Sequence, residues 1–415
     1  MTRPPRAPVA ITGMGLKTPV GSDLDSFWAG LCSGVSAGGP ITHFDTSAHP
    51  VTFACEISDF DIGAYVGPKD AAHLDRVTQL GYAAAVDALA DAGDLAADPA
   101  RIGVVSGTGV GGLITLEEQI HKYSERGAMR VSPFLVPMMM SNATAAFIAL
   151  RHGFTGPNFS VVTACAAGGN AVGEAARLIR DGDADVVIAG GSEAAITAVG
   201  LAAFSRMGAL SRRQDDPAHA SRPFDKDRDG FVMGEGAGFL VLESWERALS
   251  RGATIHGGIA GYGRNTDAYH ITHPAPGGEG AVRCMQLALE DAGMSPRDIG
   301  HVNAHGTSTP INDAAEAEAA LKVFDGNPPP ITSVKGATGH LIGAAGAVEA
   351  IASVLAMRAG QLFPTANHVE LDPTLGPIDV VHGAPRPLAA APALSNSFGF
   401  GGHNASLVLI PGPDA

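Results

Sequence analysis

The feature that most limits how this chain can fold is that it repeats itself. Ala88-Leu-Ala-Asp-Ala-Gly93 returns as Ala288-Leu-Glu-Asp-Ala-Gly293. Each copy reads as the end of a helix, with glycine where a left-handed cap is favoured. Each is followed by a strand-like run, Arg101-Ile-Gly-Val-Val-Ser-Gly-Thr108 in one case and Asp298-Ile-Gly-His-Val-Asn-Ala-His-Gly-Thr307 in the other. Upstream, Gly13-Met-Gly-Leu-Lys-Thr18 is echoed by Gly261-Tyr-Gly-Arg-Asn-Thr266. Downstream, the helical stretch from Cys165 to Arg180-Asp-Gly182 matches one from about Gly343 to Arg358-Ala-Gly360. Asp185-Val-Val-Ile then pairs with Asp379-Val-Val-His, and Gly238-Phe-Leu-Val-Leu242 with Ser406-Leu-Val-Leu409. Segments that recur in one order point to a single unit used twice. The alternation of Val/Ile runs, tight glycine turns and Ala-rich helices makes the unit α/β. We therefore expect two α/β halves, residues 1–253 and 254–415, with a shared site where strand ends and helix starts converge.

Charge and cysteine usage exclude several function classes. With 27 Lys plus Arg against 42 Asp plus Glu, the net charge is -15. A broad phosphate-binding surface would oppose that field, so nucleic acid is not an expected partner. The cysteines at 32, 55, 165 and 284 form no CxxC pair, which speaks against a structural zinc site and against a disulfide framework. A reducing, cytoplasmic setting is expected. The N-terminus leads into Val9-Ala-Ile-Thr without an apolar leader core, and no uninterrupted apolar run reaches membrane-spanning length, so no membrane association is expected.

The strongest single candidate for chemistry is Cys165 in Ser160-Val-Val-Thr-Ala-Cys-Ala-Ala-Gly-Gly-Asn170. An extended run turns there, through small residues, into a helix. A thiol at a helix start is favoured as thiolate, and free backbone N–H groups nearby can face a developing oxyanion. A buried structural cysteine is the competing reading. His305, in Val302-Asn-Ala-His-Gly-Thr-Ser-Thr-Pro310, and His340, in Ser333-Val-Lys-Gly-Ala-Thr-Gly-His-Leu-Ile-Gly-Ala-Ala-Gly346, both sit in turns at strand ends. With Lys335 in the same loop as His340, they supply polar partners for a nucleophile from the other half. Spacing alone does not establish that these groups meet.

Other signals are set aside. Gly34-Val-Ser-Ala-Gly38 fits a hydrolase elbow pattern without the strand-turn-helix context. His301 with His305, and His270 with His273, lack a third ligand, so no metal is expected. Ser106-Gly-Thr-Gly-Val-Gly-Gly112 lacks the lysine of a phosphate loop and the acidic residue of a dinucleotide fingerprint, so no nucleotide cofactor is expected.

At these residues the chain resembles the thiolase-fold β-ketoacyl-acyl-carrier-protein synthases, the type II condensing enzymes above all. The resemblance runs through Thr163-Ala-Cys165, Arg222-Pro-Phe-Asp-Lys-Asp-Arg-Asp-Gly-Phe-Val-Met-Gly-Glu-Gly-Ala-Gly238, His305-Gly-Thr-Ser-Thr-Pro310, Lys335, Gly339-His340 and Asn396-Ser-Phe-Gly-Phe-Gly-Gly402. It implies a five-layered αβαβα thiolase-like fold of two duplicated halves, the first carrying the nucleophile and the second the two histidines. It also implies decarboxylative condensation of malonyl carrier protein with an acyl chain held on Cys165, without any cofactor. On this resemblance the backbone N–H groups of Cys165 and Phe400 hold the thioester oxygen. His305 and His340 act as neutral donors to the enolate, Lys335 organises the site with Glu316 as its partner, and Phe400 gates the cysteine on a Gly401-Gly402 hinge.

The same resemblance assigns Val110, Phe134, Pro137, Met138, Phe204, Thr307, Thr309 and Phe398 to substrate binding. Val110 stands where relatives often carry the larger Ile, which implies room for longer or branched chains. Asn170 replaces a frequent His, and His403 a frequent Thr. Lys69, Arg130, Arg206, Arg212 and Arg213 are the candidate patch for acidic acyl carrier protein. The implied assembly is a homodimer, or a heterodimer with a chain-length factor in a type II polyketide or polyene pathway. A non-catalytic chain-length factor is disfavoured because Cys165, His305, His340 and Lys335 are all present. A degradative thiolase is disfavoured because no second cysteine lies near the C-terminus, the last being Cys284.

Overall fold

The computed structural model describes residues 7–413; residues 1–6, on which the leader reading partly falls, lie outside the described residues. The first half contributes strands β1 (Val9–Lys17), β2 (Ile102–Gly107), β3 (Asn158–Val161), β4 (Val186–Glu193) and β5 (Gly236–Ser244). The second contributes β6 (Gly257–Thr266), β7 (His301–Asn303), β8 (Ile331–Thr332), β9 (Ala393–Gly399) and β10 (His403–Pro411). Their hydrogen-bonded order is β8-β7-β9-β10-β6-β1-β5-β4-β2-β3. The order β1-β5-β4-β2-β3 in one half is thus reproduced as β6-β10-β9-β7-β8 in the other. The two sheets join through a short antiparallel seam, Val9–Ile11 against Gly257–Ile259.

Five helices make the layers: α1 (Arg76–Ala92), α2 (Ala167–Arg180), α3 (Glu279–Ala292), α4 (Pro310–Val323) and α5 (Ala345–Ala359). Helix α1 covers β1, β5 and β4 on one outside face, while α3 covers β6 and β10 on the other with α4 against it. Helices α2 and α5 pack on each other between the sheets, giving the layer sequence αβαβα. The repeated glycines explain how close the outer helices lie. A side chain at Gly13 would collide with the Ala88 carbonyl oxygen, and one at Gly261 with that of Ala288. Helix and strand backbones therefore nearly touch in both halves.

Helix α5 is buried on every face from Ala345 to Met357, as its Ala-rich, almost charge-free sequence requires in a middle layer. The stretch Ile342–Ala359 is apolar and long enough to cross a membrane by composition, but 89% of it is buried in the fold, so it is a core helix.

One pairing from the sequence is in the wrong place. Asp379-Val-Val-His is not the counterpart of β4. Val380 makes only an isolated bridge to Ile331, and β9 takes the β4 position, parallel to β7 as β4 is to β2. A two-valine match carries too little information to fix register when several short apolar runs compete.

Candidate active site

Strand β3 leads through Thr163 into a single 3-10 turn, Ala164–Ala166, which runs on into α2. Ala164 is held at φ +50°, a left-handed conformation that a non-glycine residue adopts only where its surroundings enforce it. The second half repeats the device: Ile342, at φ +45°, opens the turn Ile342–Ala344 ahead of α5. Cys165 and Gly343 therefore occupy equivalent positions. Gly399, at the end of β9, lies so close to the first turn that a side chain there would come 3.1 Å from the Cys165 nitrogen.

The structure brings the three sequence-predicted groups together. His340 Nε2 is 3.0 Å from Cys165 Sγ, the His305 and His340 ring centroids are 5.4 Å apart, and one donor atom from each of the three lies within 4.8 Å of the others. All three side chains are buried. The tautomers follow from the other nitrogens. The Ile342 N–H donates to His340 Nδ1 at 3.3 Å, and the Lys335 ammonium faces His305 Nδ1 at 3.3 Å. Both partners can only donate, so each Nδ1 accepts and each Nε2 carries the hydrogen. Such a set presents N–H groups to a ligand instead of lone pairs, which suits an oxyanion and not a metal ion.

Lys335 is not paired with Glu316. Its ammonium bonds to Glu349 on α5 and donates to the His305 carbonyl oxygen at 2.6 Å. Glu316 lies on α4, in the outside layer, and meets the back of the turn, accepting the N–H groups of His305 and Gly306 at 2.8 Å each. Helix α5, in the middle layer, is the element that passes beside Lys335.

Electrostatics corrects a second expectation. Burial pushes the Cys165 thiol up to about 11, although Lys335 and the N–H groups of Phe400 and Cys165 pull it down. The helix start does not win against desolvation, so the resting group is a thiol. Burial, then the Lys335 charge, hold both imidazoles well below the ordinary histidine value, and both are neutral. The Phe400 and Cys165 N–H groups converge where sulfur or an attached oxygen would carry negative charge.

A cavity of about 740 Å³ opens over these groups. Val110, Phe204, Phe231 and Ile342 give it an apolar wall, and Thr307, Thr309, Phe398 and Phe400 also line it. Phe231 packs edge-on against His340, with ring centroids 5.3 Å apart. Gly401, at φ +81°, and Gly402, at φ +75°, follow Phe400 and are strapped to the 267–271 segment through Gly401 N–H to Ile271 O and Asp267 N–H to Gly402 O.

Phe134, Pro137 and Met138 do not line the cavity. Phe134 instead stacks on His73, ring centroids 3.8 Å apart, and is 41% exposed. Their apolar character was readable, but the direction in which the Leu135–Met139 helix faces was not. Exposed Arg206 adjoins Met207 at the cavity, and the Arg212 N–H donates to the lining residue Asp229 at 2.9 Å. The Arg213 guanidinium donates to the Asp227 carbonyl oxygen. Lys69 and Arg130 are exposed, but sit on the short Pro68–Ala71 helix and the Ala128–Arg130 turn, neither of which contributes to the lining.

Asn170 holds the nucleophile turn from below, donating to Thr163 Oγ1 at 2.9 Å and accepting from the Tyr262 hydroxyl at 2.6 Å. His403 is exposed at the start of β10. Of the motifs set aside, Gly34 closes the Leu24–Ser33 helix at φ +67°, and His301 is buried with Nε2 2.8 Å from Thr332 Oγ1. Sequence reasoning missed Glu349, Glu193 and Phe231. Glu349 had a signal, being the lone acidic residue in an Ala-rich helix whose one other charge is Arg358 in the last turn. Glu193 had one too, a carboxylate closing the strand run Val186-Val-Ile-Ala-Gly-Gly-Ser.

Comparison with known proteins gives matches along most of the chain. Residues 6–248 match the family model described as Beta-ketoacyl synthase, N-terminal domain, and residues 256–369 the model described as Beta-ketoacyl synthase, C-terminal domain. The chain is 48% identical over 408 residues to 3-oxoacyl-[acyl-carrier-protein] synthase 2 of Synechocystis sp., covering 97% of each chain. It is 45% identical over 407 residues to the protein of the same name in Staphylococcus aureus, again covering 97% of each. Among solved structures, the ishigamide ketosynthase/chain length factor superposes with a TM-score of 0.92 at 37% identity, covering 98% of this chain and 99% of that one.

Proposed function

The chain belongs to the β-ketoacyl synthase family, and from that premise we propose that it extends acyl chains on acyl carrier protein by decarboxylative Claisen condensation. The observation that carries the reading is the convergence of Cys165 Sγ with two neutral Nε2–H imidazoles in one cavity.

In the first half-reaction the sulfur attacks the acyl thioester carbonyl. The tetrahedral oxygen is held by the Cys165 and Phe400 N–H groups, and the carrier thiol leaves with the proton that the cysteine gave up. Malonyl carrier protein then binds and its carboxyl leaves as carbon dioxide. The electron pair of that bond forms an enolate whose oxygen accepts from His305 and His340. The enolate carbon attacks the acyl-cysteine carbonyl, and the Cys165 thiolate leaves and is reprotonated. The product is a 3-oxoacyl carrier protein longer by two carbons.

We assign carrier-protein docking to Arg206, Arg212 and Arg213, supported by their place beside the cavity on a chain of net charge -15, where only a local basic patch can attract an acidic partner. We also propose that the enzyme works as a dimer of two copies. Support comes from β3, an edge strand, together with exposed Phe159, Val162 and Val136, an apolar edge of the kind that a second chain covers. The alternative partner, a chain-length factor in a polyketide pathway, is favoured by the ishigamide ketosynthase/chain length factor likeness. A cytoplasmic setting is proposed on the four cysteines, all free thiols.

Intact-protein mass spectrometry with acyl carrier protein donors tests the reading. Cys165→Ala is expected to take up no acyl group, while His305→Ala and His340→Ala acylate but do not decarboxylate malonyl carrier protein. A stable acyl adduct on Cys165→Ala would overturn the assignment. Co-purification with a homologous subunit lacking the cysteine, set against an active homodimer, separates the two assemblies.

A further inference from the structure

Glu193 closes β4 and is fully buried. Its carboxylate is met by uncharged donors: Oε2 accepts from the Gly109 N–H at 2.5 Å and the Gly343 N–H at 3.0 Å, and Oε1 accepts from the Thr108 hydroxyl at 3.0 Å and faces the Val110 N–H at 3.4 Å. A buried carboxylate left without such donors would be strongly disfavoured. Here the donors come from both halves, the 108–110 loop after β2 and the Ile342–Ala344 turn before α5. The two segments touch through backbone. A side chain at Gly343 would collide with the Gly109 nitrogen, and one at Gly109 would come 2.8 Å from Ile342 Cγ2.

The repeat sharpens this. Gly343 stands where Cys165 stands in the first half, so the amide that faces the sulfur in one half faces the Glu193 carboxylate in the other. The amides held by Glu193 belong to, or adjoin, Val110 and Ile342, two of the residues of the apolar cavity wall. Val110 is 46% exposed, so its own side-chain packing does little to fix its backbone.

We propose that Glu193 is a positioning residue that sets acyl-chain selectivity, by pinning the wall that Val110 and Ile342 build across the junction of the halves. The inference rests on the condensing reading above. Glu193 acts through the backbone of the wall and touches no reacting atom. Replacing one of its two acceptor oxygens by an NH2 group would set a donor against the Gly109 and Gly343 N–H groups or against the Thr108 hydroxyl and Val110 N–H, letting the loop and the turn separate or shift, which a long chain filling the cavity senses more than a short one.

The test uses the full-length protein as wild type, Glu193→Gln and Thr108→Ala. Acylation of Cys165 from short-chain and long-chain acyl carrier protein is timed by intact-protein mass spectrometry, and malonyl decarboxylation is measured separately. Glu193→Gln is expected to lower the long-to-short acylation ratio ~10-fold, a larger change than that in decarboxylation. Thr108→Ala, which removes one donor, shifts the ratio the same way by less. An unchanged ratio in a folded Glu193→Gln, or an equal loss in all three rates, overturns the proposal. Should Glu193→Gln fail to fold, an unchanged ratio in Thr108→Ala does so. A wild-type protein that neither acylates nor decarboxylates defeats the condensing reading itself, and is thereby distinguished from failure of the Glu193 assignment alone.

Discussion

The Lys335 ammonium lies 3.3 Å from His305 Nδ1 and 2.6 Å from the carbonyl oxygen of the same residue, so one side chain fixes both the ring and the backbone of that histidine. Removing it frees the imidazole to turn or to change tautomer, and the Nε2–H needed by the enolate is no longer assured. Lys335→Ala is expected to slow malonyl decarboxylation about 100-fold, with a smaller effect on acyl uptake. Carbon dioxide release at wild-type rate from the variant would sink this role.

The Lys335–Glu349 ion pair is buried on both sides. Breaking one partner leaves an uncompensated interior charge, so Glu349→Ala should cost roughly 3–5 kcal/mol of stability, whereas the double change Lys335→Met with Glu349→Leu should cost much less. Urea unfolding of the wild type and these two variants decides it. Single and double variants of equal stability would contradict the prediction.

With the Cys165 thiol pushed up to about 11 by burial, its thiolate fraction grows tenfold per pH unit across the neutral and mildly alkaline range. Alkylation of Cys165 by iodoacetamide, read by peptide mass spectrometry to separate it from part-exposed Cys32, should still be climbing at about pH 9. A plateau near neutrality would mean that the helix start and Lys335 outweigh desolvation after all.

Glu193 and Glu316 are each raised from 4.5 to about 7, burial being the first cause. A carboxyl whose folded value lies above its unfolded one favours the fold while protonated. That contribution is complete below 4.5 and is lost as the pH rises through about 7. Unfolding midpoints in denaturant should therefore fall across that window, and Glu193→Gln with Glu316→Gln should flatten the decline. An equally steep decline in the double variant would assign the slope to other groups.

How far the site was legible depended on whether a residue's role is local. The Cys165 turn announces itself through a run of small residues between strand and helix, and His305 and His340 through polar turns at strand ends. The duplication was readable from recurring segments such as Gly13-Met-Gly and Gly261-Tyr-Gly, whose helix contacts are the same in both halves. What could not be read was direction. Nothing in the spacing tells that Glu316 faces the back of the His305 turn while Glu349 faces Lys335, because outside and middle layers differ only in three dimensions. The outward turn of Phe134 and the false partner given to β4 have the same origin. The thiol failed for a different reason: burial, a sum over the whole surroundings, exceeded the local field of the helix start.

The twin turns at Ala164 and Ile342 have a consequence for stoichiometry. Two like units suggest two acyl loads, yet only one cradle offers sulfur. The other holds glycine, and its amide is already engaged by an acid that is part of the protein. Each polypeptide therefore takes one acyl group at these turns, and titration with acyl carrier protein to saturation should stop at one equivalent per chain.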